Sequence, residues 1–406
     1  MPLRINIFCG TRRLFRRIAM SLGKQRDIWF SLSFSTLDLF AGAISAFILL
    51  FTIEKTPWII CILPILLSVR GAGNGIFTGV LSTSLHIGTV EPRLRGNTED
   101  YYSLVAAIYV ISTINSFIAT VIVGIYFLDY RILLIIFFVM ILSMTLTLIF
   151  SIITTSLVGF SAFRYGFNPD DIVYPVMATL NDIMISIFIF ISILIIEPWD
   201  FIHAMLIGIP ISLSIIALTI SIIRKHRHNE FFVKTIREGS IGIIYVVIIS
   251  STSGILLSQT YWALHEKIEF LIMLPLLMTL SGGVGSILMS RFTTRLNLGE
   301  IDPSSPLSII TFLGRTLQLV LPPLLGILTI GSIIICITRS MDMIGFFLFY
   351  TKIIAISFST LFISVPIILL VSLETFKYGL NPDNYSIPIV TSTADFLTIF
   401  FLHVIL

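Results

Sequence analysis

Hydrophobic and polar positions along this chain separate into long apolar runs broken by short polar connections. The runs fall at about 29–53, 58–88, 103–127, 132–158, 172–196, 200–223, 240–263, 268–290, 307–337, 343–373 and 385–406. Each offers the ~20 residues that an α-helix needs to cross a ~30 Å hydrocarbon core. A helix facing water shows a polar face, and strands of a membrane barrel alternate apolar with polar residues. Continuous runs do neither. The pattern predicts an all-α polytopic membrane protein with about 11 transmembrane helices.

Composition narrows the class. Of 406 residues, 56% are hydrophobic and 12% charged, and the mean hydropathy is +1.03. Soluble domains carry about 25% charged residues, so the deficit excludes a soluble enzyme, a disordered chain and a nucleic-acid binder. No cleavable signal is evident, because residues 1–27 are basic and too polar for an apolar core segment. Arg12, Arg13, Arg16 and Arg17 with Leu14, Phe15, Ile18 and Leu22 predict an amphipathic helix lying on the cytoplasmic membrane surface.

The net charge of +3 matters less than where the basic residues sit. One set of loops holds Arg93, Arg95, Arg164, Arg224, Lys225, Arg227, Lys234, Arg237, Arg291, Arg295 and Lys377, and the other only Lys55, Arg131, Lys267 and Arg339. The positive-inside rule then predicts a multi-pass cell-membrane protein with its N-terminus cytoplasmic and its C-terminus outside. The polar connection at about 224–239 carries His226 and His228, which read as a metal pair or, more simply, as part of a solvated juxtamembrane segment. Cys9, Cys61 and Cys336 are too far apart for a metal motif or a disulfide framework.

The chain repeats itself. Residues 63–92 align without a gap on 274–303, at an offset of 211, with Leu63, Pro64, Gly71, Ile76, Thr83, Leu85, Gly88 and Pro92 identical. Residues 168–182 align on 381–395 at an offset of 213, with Asn168, Pro169, Asp170, Pro175 and Asp182 matching Asn381, Pro382, Asp383, Pro388 and Asp395. Two blocks at nearly one offset imply a tandem duplication of a five-helix unit. Five is odd, so the extra helix at 200–223 restores the orientation of the second copy. The division expected is a basic segment over 1–27, a first repeat over 28–198, a linker helix and basic loop over 199–239, and a second repeat over 240–406. The repeats should be parallel about a pseudo-two-fold axis along the membrane normal, a homodimer fused into a single-chain pseudo-dimer.

Asp182 and Asp395 hold equivalent places about ten residues into the fifth helix of each repeat, roughly 15 Å deep. A carboxylate at mid-membrane costs about 2.5–3.5 kcal/mol on insertion scales, so a symmetric pair implies a use. Facing each other, the two repel unless a cation or shared proton lies between them; hydrogen-bonding glue between helices is the plainer alternative. Asp171, Pro175, Thr179 and Asp182 share one helix face, and Asn384, Pro388, Ser392 and Asp395 repeat it. These stripes of oxygen ligands suit a hard divalent cation. Thr179, Ser392, Asp171 and Asn384 are therefore candidates to line the path. So is Asn181, although Ala394 replaces it in the second repeat. Asn168, Asp170, Asn381 and Asp383 read equally as helix caps. In the second helix, Gly71, Gly75 and Gly79 recur every four residues, matched by Gly282, Ser286 and Ser290. That spacing allows close packing, or exposes backbone carbonyls beside a path. Asp38, Arg70, Arg315 and Lys352 have no ionic counterpart in the other repeat, and pairing or snorkelling accounts for them.

These blocks resemble the transmembrane domain of MgtE-type magnesium channels and of the related solute carrier family 41. The likeness rests on the Pro-containing, Gly-rich second helix, ending in Ser290, Arg291, Thr293 and Thr294. It rests also on the Pro-led stretch running to Asp182 and Asp395. The duplicated form looks most like solute carrier family 41. The resemblance implies that the fifth-helix aspartates stand in the pore and hold a largely hydrated Mg²⁺, a role carried to Asp182 and Asp395. The family's Gly-Asn of the second helix appears as Gly71-Ala72 and Gly282-Gly283, and Asn74 two residues on is a further lining candidate. The cytosolic gating modules of the bacterial channels have no counterpart in these residues.

Transport of a divalent cation, foremost Mg²⁺, through a central path between the repeats is the expectation. It needs no cofactor, no nucleic-acid partner and no enzymatic activity; its partners are the ion and the lipid bilayer. The alternatives are another divalent ion (Co²⁺, Mn²⁺ or Ca²⁺) and Na⁺-coupled Mg²⁺ exchange. An intramembrane aspartyl protease also needs two membrane aspartates, but here their contexts match each other rather than that family's two motifs.

Overall fold

The computed structural model describes residues 58–127, 129–165, 169–196, 201–297, 299–377 and 382–406, together with isolated positions between 36 and 56. The predicted surface helix over 1–27 and the first apolar run at 29–53 lie outside the described residues but for those positions. Among the described residues the chain is helical and without strands. The helices are α1 (Ile59–Ile87), α2 (Glu99–Phe127), α3 (Tyr130–Arg164), α4 (Pro169–Ile196), α5 (Phe201–His226), α6 (Glu230–Gln259), the short α7 (Tyr261–Glu266), α8 (Ile268–Asn297), α9 (Pro306–Arg339), α10 (Met343–Lys377) and α11 (Pro382–Ile405). Ten of them are long and apolar enough to cross a membrane, one for each remaining run.

Local chemistry repeats with the sequence. α1 and α8 contain Pro64 and Pro275 at matching positions, and the turns after them pass through Gly88 at φ 83° and Gly299 at φ 68°. Only glycine takes that left-handed conformation without strain, which gives the shared glycine a backbone reason. α3 and α10 are both 35 residues long. Within the spans, serine and threonine hydroxyls donate to carbonyls one turn back, as Thr147 does to Ser143 at 2.7 Å and Ser372 to Ile368 at 2.7 Å. These bonds satisfy hydroxyls where no water is present.

The connection expected at 224–239 is mostly helix. α5 runs on to His226, and α6 starts at Glu230, ten residues before the apolar run does. The Asn229 carboxamide oxygen accepts the Phe232 N–H at 2.9 Å and caps α6. Phe232 and Thr235 are buried, with Phe232 against Ala106, Ala107 and Val110 of α2. Apolar residues recurring among the lysines and arginines thus make an amphipathic first turn rather than a solvated loop. His226 and His228 do not form a metal pair: His226 packs on Phe232 with its ring nitrogen 3.5 Å from the Ser103 hydroxyl, and His228 accepts from Arg227.

The core is built around α1 and α8, the most deeply buried spans, with 89% and 72% of their most apolar stretches inside the protein. The two halves of the chain interlock. α6, from the second half, packs against α1 and α2 of the first; α11 packs on α1 as well as on α8; and α4 touches α8. α5, only 17% buried over its span, flanks α2 and α3.

Candidate functional site

Asp182 lies 13 residues into α4 and Asp395 13 residues into α11, because both helices start earlier than the apolar runs suggest. At 1.5 Å per residue that is about 20 Å from each start, deeper than the sequence estimate. Both carboxylates reach the seam between the halves. The Ser68 hydroxyl on α1 donates to Asp395 Oδ2 at 2.8 Å, and the Thr279 hydroxyl on α8 donates to Asp182 Oδ2 at 3.3 Å. Ser68 and Thr279 occupy the same repeat position, related by the offset of 211. Each half therefore supplies a carboxylate that takes its hydroxyl from the other half.

The symmetry stops at Arg70. Its guanidinium donates through Nη2 to Asp182 Oδ1 in an ion pair whose side chains are 7% and 8% exposed. The matching residue in α8 is Ser281, so Asp395 has no such partner at that position. Here the pairing expected for Arg70 is realised, with Asp182 itself. Lys352 likewise bonds the Ile405 carbonyl at 3.0 Å, away from the aspartates.

A second asymmetry lies behind Asp182. Asn74 Oδ1 accepts from the hydroxyls of Ser151 at 3.1 Å and Thr155 at 3.0 Å, and Asn181 Nδ2 donates to Ser151 at 2.9 Å. The Asn181 carbonyl oxygen is buried without a hydrogen-bond partner, an acceptor left open. In the second half Gly285, Ile368 and Ala394 take the places of Asn74, Thr155 and Asn181, while Ser364 keeps the hydroxyl of Ser151. A Cβ on Gly285 would lie 2.9 Å from Val390 and 3.4 Å from Ile368, so close apolar packing takes the place of the Asn74 hydrogen bonds. Arg70, Asn74, Ser112 and Ser151 line a small cavity beside this cluster.

The other candidates fall as follows. Thr179 and Ser392 sit one turn before the aspartates, each 2% exposed, and Ser392 donates to the Pro388 carbonyl at 2.7 Å. Asp171 and Asn384 lie in the first turns of α4 and α11, and their side chains are outside the described residues. Gly71, Gly75 and Gly79 form a half-buried stripe on the otherwise buried α1. A Cβ at Gly71 or Gly79 would meet nothing within 4 Å, so close packing does not explain those two glycines. Among the described residues, no group of three or more His, Cys, Asp and Glu stands ready to hold a metal. Sequence reasoning missed Ser68 and Thr279. They could have been found as hydroxyl residues at one repeat position, between the shared proline and the shared glycine.

A membrane-embedded bundle of duplicated helices, with two carboxylates drawn to the seam between the copies, has the architecture of an ion-transport protein. A family model described as MgtE, divalent cation transporter, matches residues 63–193 and again 274–405. The chain belongs to this family. Solute carrier family 41 member 3 of Rattus norvegicus is 26% identical over 256 residues, which cover 58% of this chain and 53% of the relative. The chain thus spans about half the length of that curated relative. No solved structure matches it.

Proposed function

We propose that the protein carries divalent cations, Mg²⁺ foremost, along a central path between its two halves, and that Asp182 and Asp395 together bind the partly hydrated ion. The observation that carries this reading is the reciprocal contact of Ser68 with Asp395 and Thr279 with Asp182. Two carboxylates held at one seam repel unless cations offset them, and Arg70 pairs with Asp182 alone of the two. Mg²⁺ sheds its waters reluctantly and is commonly held by one or two carboxylates plus water. A pair of aspartates suits it without a complete cage of protein ligands.

Around the pair, Thr179 and Ser392 line the path one turn away, Asn181 offers its open carbonyl, and Asn74 supports it through Ser151. Asp171 and Asn384 stand at the entrances. The two halves act as a single-chain pseudo-dimer, parallel about an axis along the membrane normal, with the N-terminus cytoplasmic. In this reading the chain divides into 1–27, 28–198, 199–239 and 240–406, with α6 beginning at Glu230 inside the third segment.

The test is Mg²⁺ uptake into proteoliposomes, read with an entrapped indicator. Asp182→Asn and Asp395→Asn should each cut uptake at least about tenfold, the loss expected when a charged ligand worth 1.5–3 kcal/mol is removed. Full flux in the double variant overturns the assignment. Repeating the assay with Co²⁺, Mn²⁺ and Ca²⁺, and with Na⁺ or pH gradients, separates Mg²⁺ uniport from the other divalent ions and from coupled exchange.

A further inference from the structure

The duplicated site is not charge-symmetric. Each aspartate receives a hydroxyl across the seam, but only Asp182 also receives a cation. With Arg70 on one side and Ser281 on the other, ionised Asp182 and Asp395 with Arg70 sum to a charge of −1, where serine in both halves would leave −2. A buried guanidinium beside a carboxylate offsets its charge, so anything else that binds that carboxylate must compete with it. Arg70 and Ser68 are two residues apart on α1, so one short stretch of helix touches both aspartates. A small cavity beside Arg70 is lined by Asn74, Ser112 and Ser151 among mostly apolar side chains.

We propose that Arg70 is a tethered counter-cation that occupies Asp182 when no divalent ion is bound, competes with the arriving ion, and so sets its apparent affinity. The proposal rests on the reading of Asp182 and Asp395 as the ion ligands. An entering ion must draw Asp182 away from Arg70 or be held by Asp395 alone. Arg70 is thus a specificity-determining residue that acts through Asp182, and the second half does without it.

The experiment uses the full chain in liposomes, with Mg²⁺ as the probe and half-saturation of uptake as the readout. Arg70→Ser gives the first half the serine of the second. It should lower the Mg²⁺ concentration for half-maximal uptake by about tenfold or more, as expected from removing a positive charge a few ångströms from a divalent ion. Arg70→Lys keeps the charge and should stay close to the parent. Asp182→Asn removes the carboxylate that Arg70 pairs with and should lose most uptake, and adding Arg70→Ser should restore part of it. Unchanged or weaker half-saturation in Arg70→Ser overturns the proposal. If that variant does not fold, the comparison of Asp182→Asn with Arg70→Ser/Asp182→Asn decides: no recovery overturns the proposal, and recovery supports it. Asp395→Asn keeps the two readings apart. Full flux in Asp395→Asn sinks the ion-site assignment and this inference with it. A dead Asp395→Asn beside an Arg70→Ser variant of parental affinity sinks the role of Arg70 alone.

Discussion

Gly254→Ala should be among the most damaging single-methyl changes in this protein. Gly254 faces α1 from α6, and a Cβ built on it would lie 1.9 Å from the Cys61 carbonyl oxygen and 3.4 Å from Ile65. The obstacle is backbone, so no rotamer change relieves it. α6 and α1 must part by about 1 Å for the contact to reach even 3.0 Å. Gaps of 0.5–1 Å already forfeit roughly a quarter to a half of the dispersion well for the atoms involved. The interface affected includes Ile62 and Ile65 on α1 and Ile243, Val246 and Val247 on α6, all fully buried. Overpacking costs typically about 1–3 kcal/mol, and a rigid backbone obstacle places this change near 3. Gly79→Ala is the control: its Cβ enters open space, and alanine favours a helix by about 1 kcal/mol over glycine. Thermal unfolding of both variants in detergent, followed by fluorescence-detected size exclusion, should put Gly254→Ala well below the parent and Gly79→Ala at or above it. Uptake should fall too in Gly254→Ala, because Ser68 and Arg70 ride on the same helix about 10 Å further along. Equal midpoints for the two variants would refute the close approach of α6 to α1.

Two further outcomes follow from the site and its surroundings. Ser68→Ala and Thr279→Ala each remove one hydroxyl bond to a carboxylate, worth about 1.5–3 kcal/mol, and should weaken Mg²⁺ half-saturation in the same direction; a shift in only one of them contradicts the reciprocal arrangement. Asn229→Ala removes the cap of α6 and should cost about 1 kcal/mol in thermal stability while leaving Mg²⁺ half-saturation unchanged; a shifted half-saturation would mean that this turn communicates with the site.

How far the site could be read in advance depended on the kind of signal. Asp182 and Asp395 stood out because a carboxylate in an apolar run is costly and theirs recurs at one offset. Ser68 and Thr279 carry the same recurrence but cost little in a helix, where a hydroxyl can bond its own backbone, so nothing singled them out. The partner of Arg70 was hidden for a different reason: Arg70 and Asp182 are 112 residues apart, and only the packing of α1 beside α4 brings them together. The segment at 224–239 misled because its lysines and arginines mask buried positions such as Phe232 and Thr235.

Continuous apolar runs by themselves determined the class of the protein, since a membrane span must be apolar all round and must satisfy its backbone internally. The double repeat likewise settled that two copies of one unit are present, because two gapless blocks at nearly one offset need no coordinates. What the tertiary structure alone decided is how the copies meet. Whether α6 inserts beside α1 and α2, which hydroxyl reaches which carboxylate, and that one aspartate of a symmetric pair is already neutralised by an arginine all depend on contacts between residues remote in the chain. Such contacts leave no period and no motif, so the symmetry of the site was legible in the sequence, and its asymmetry was not.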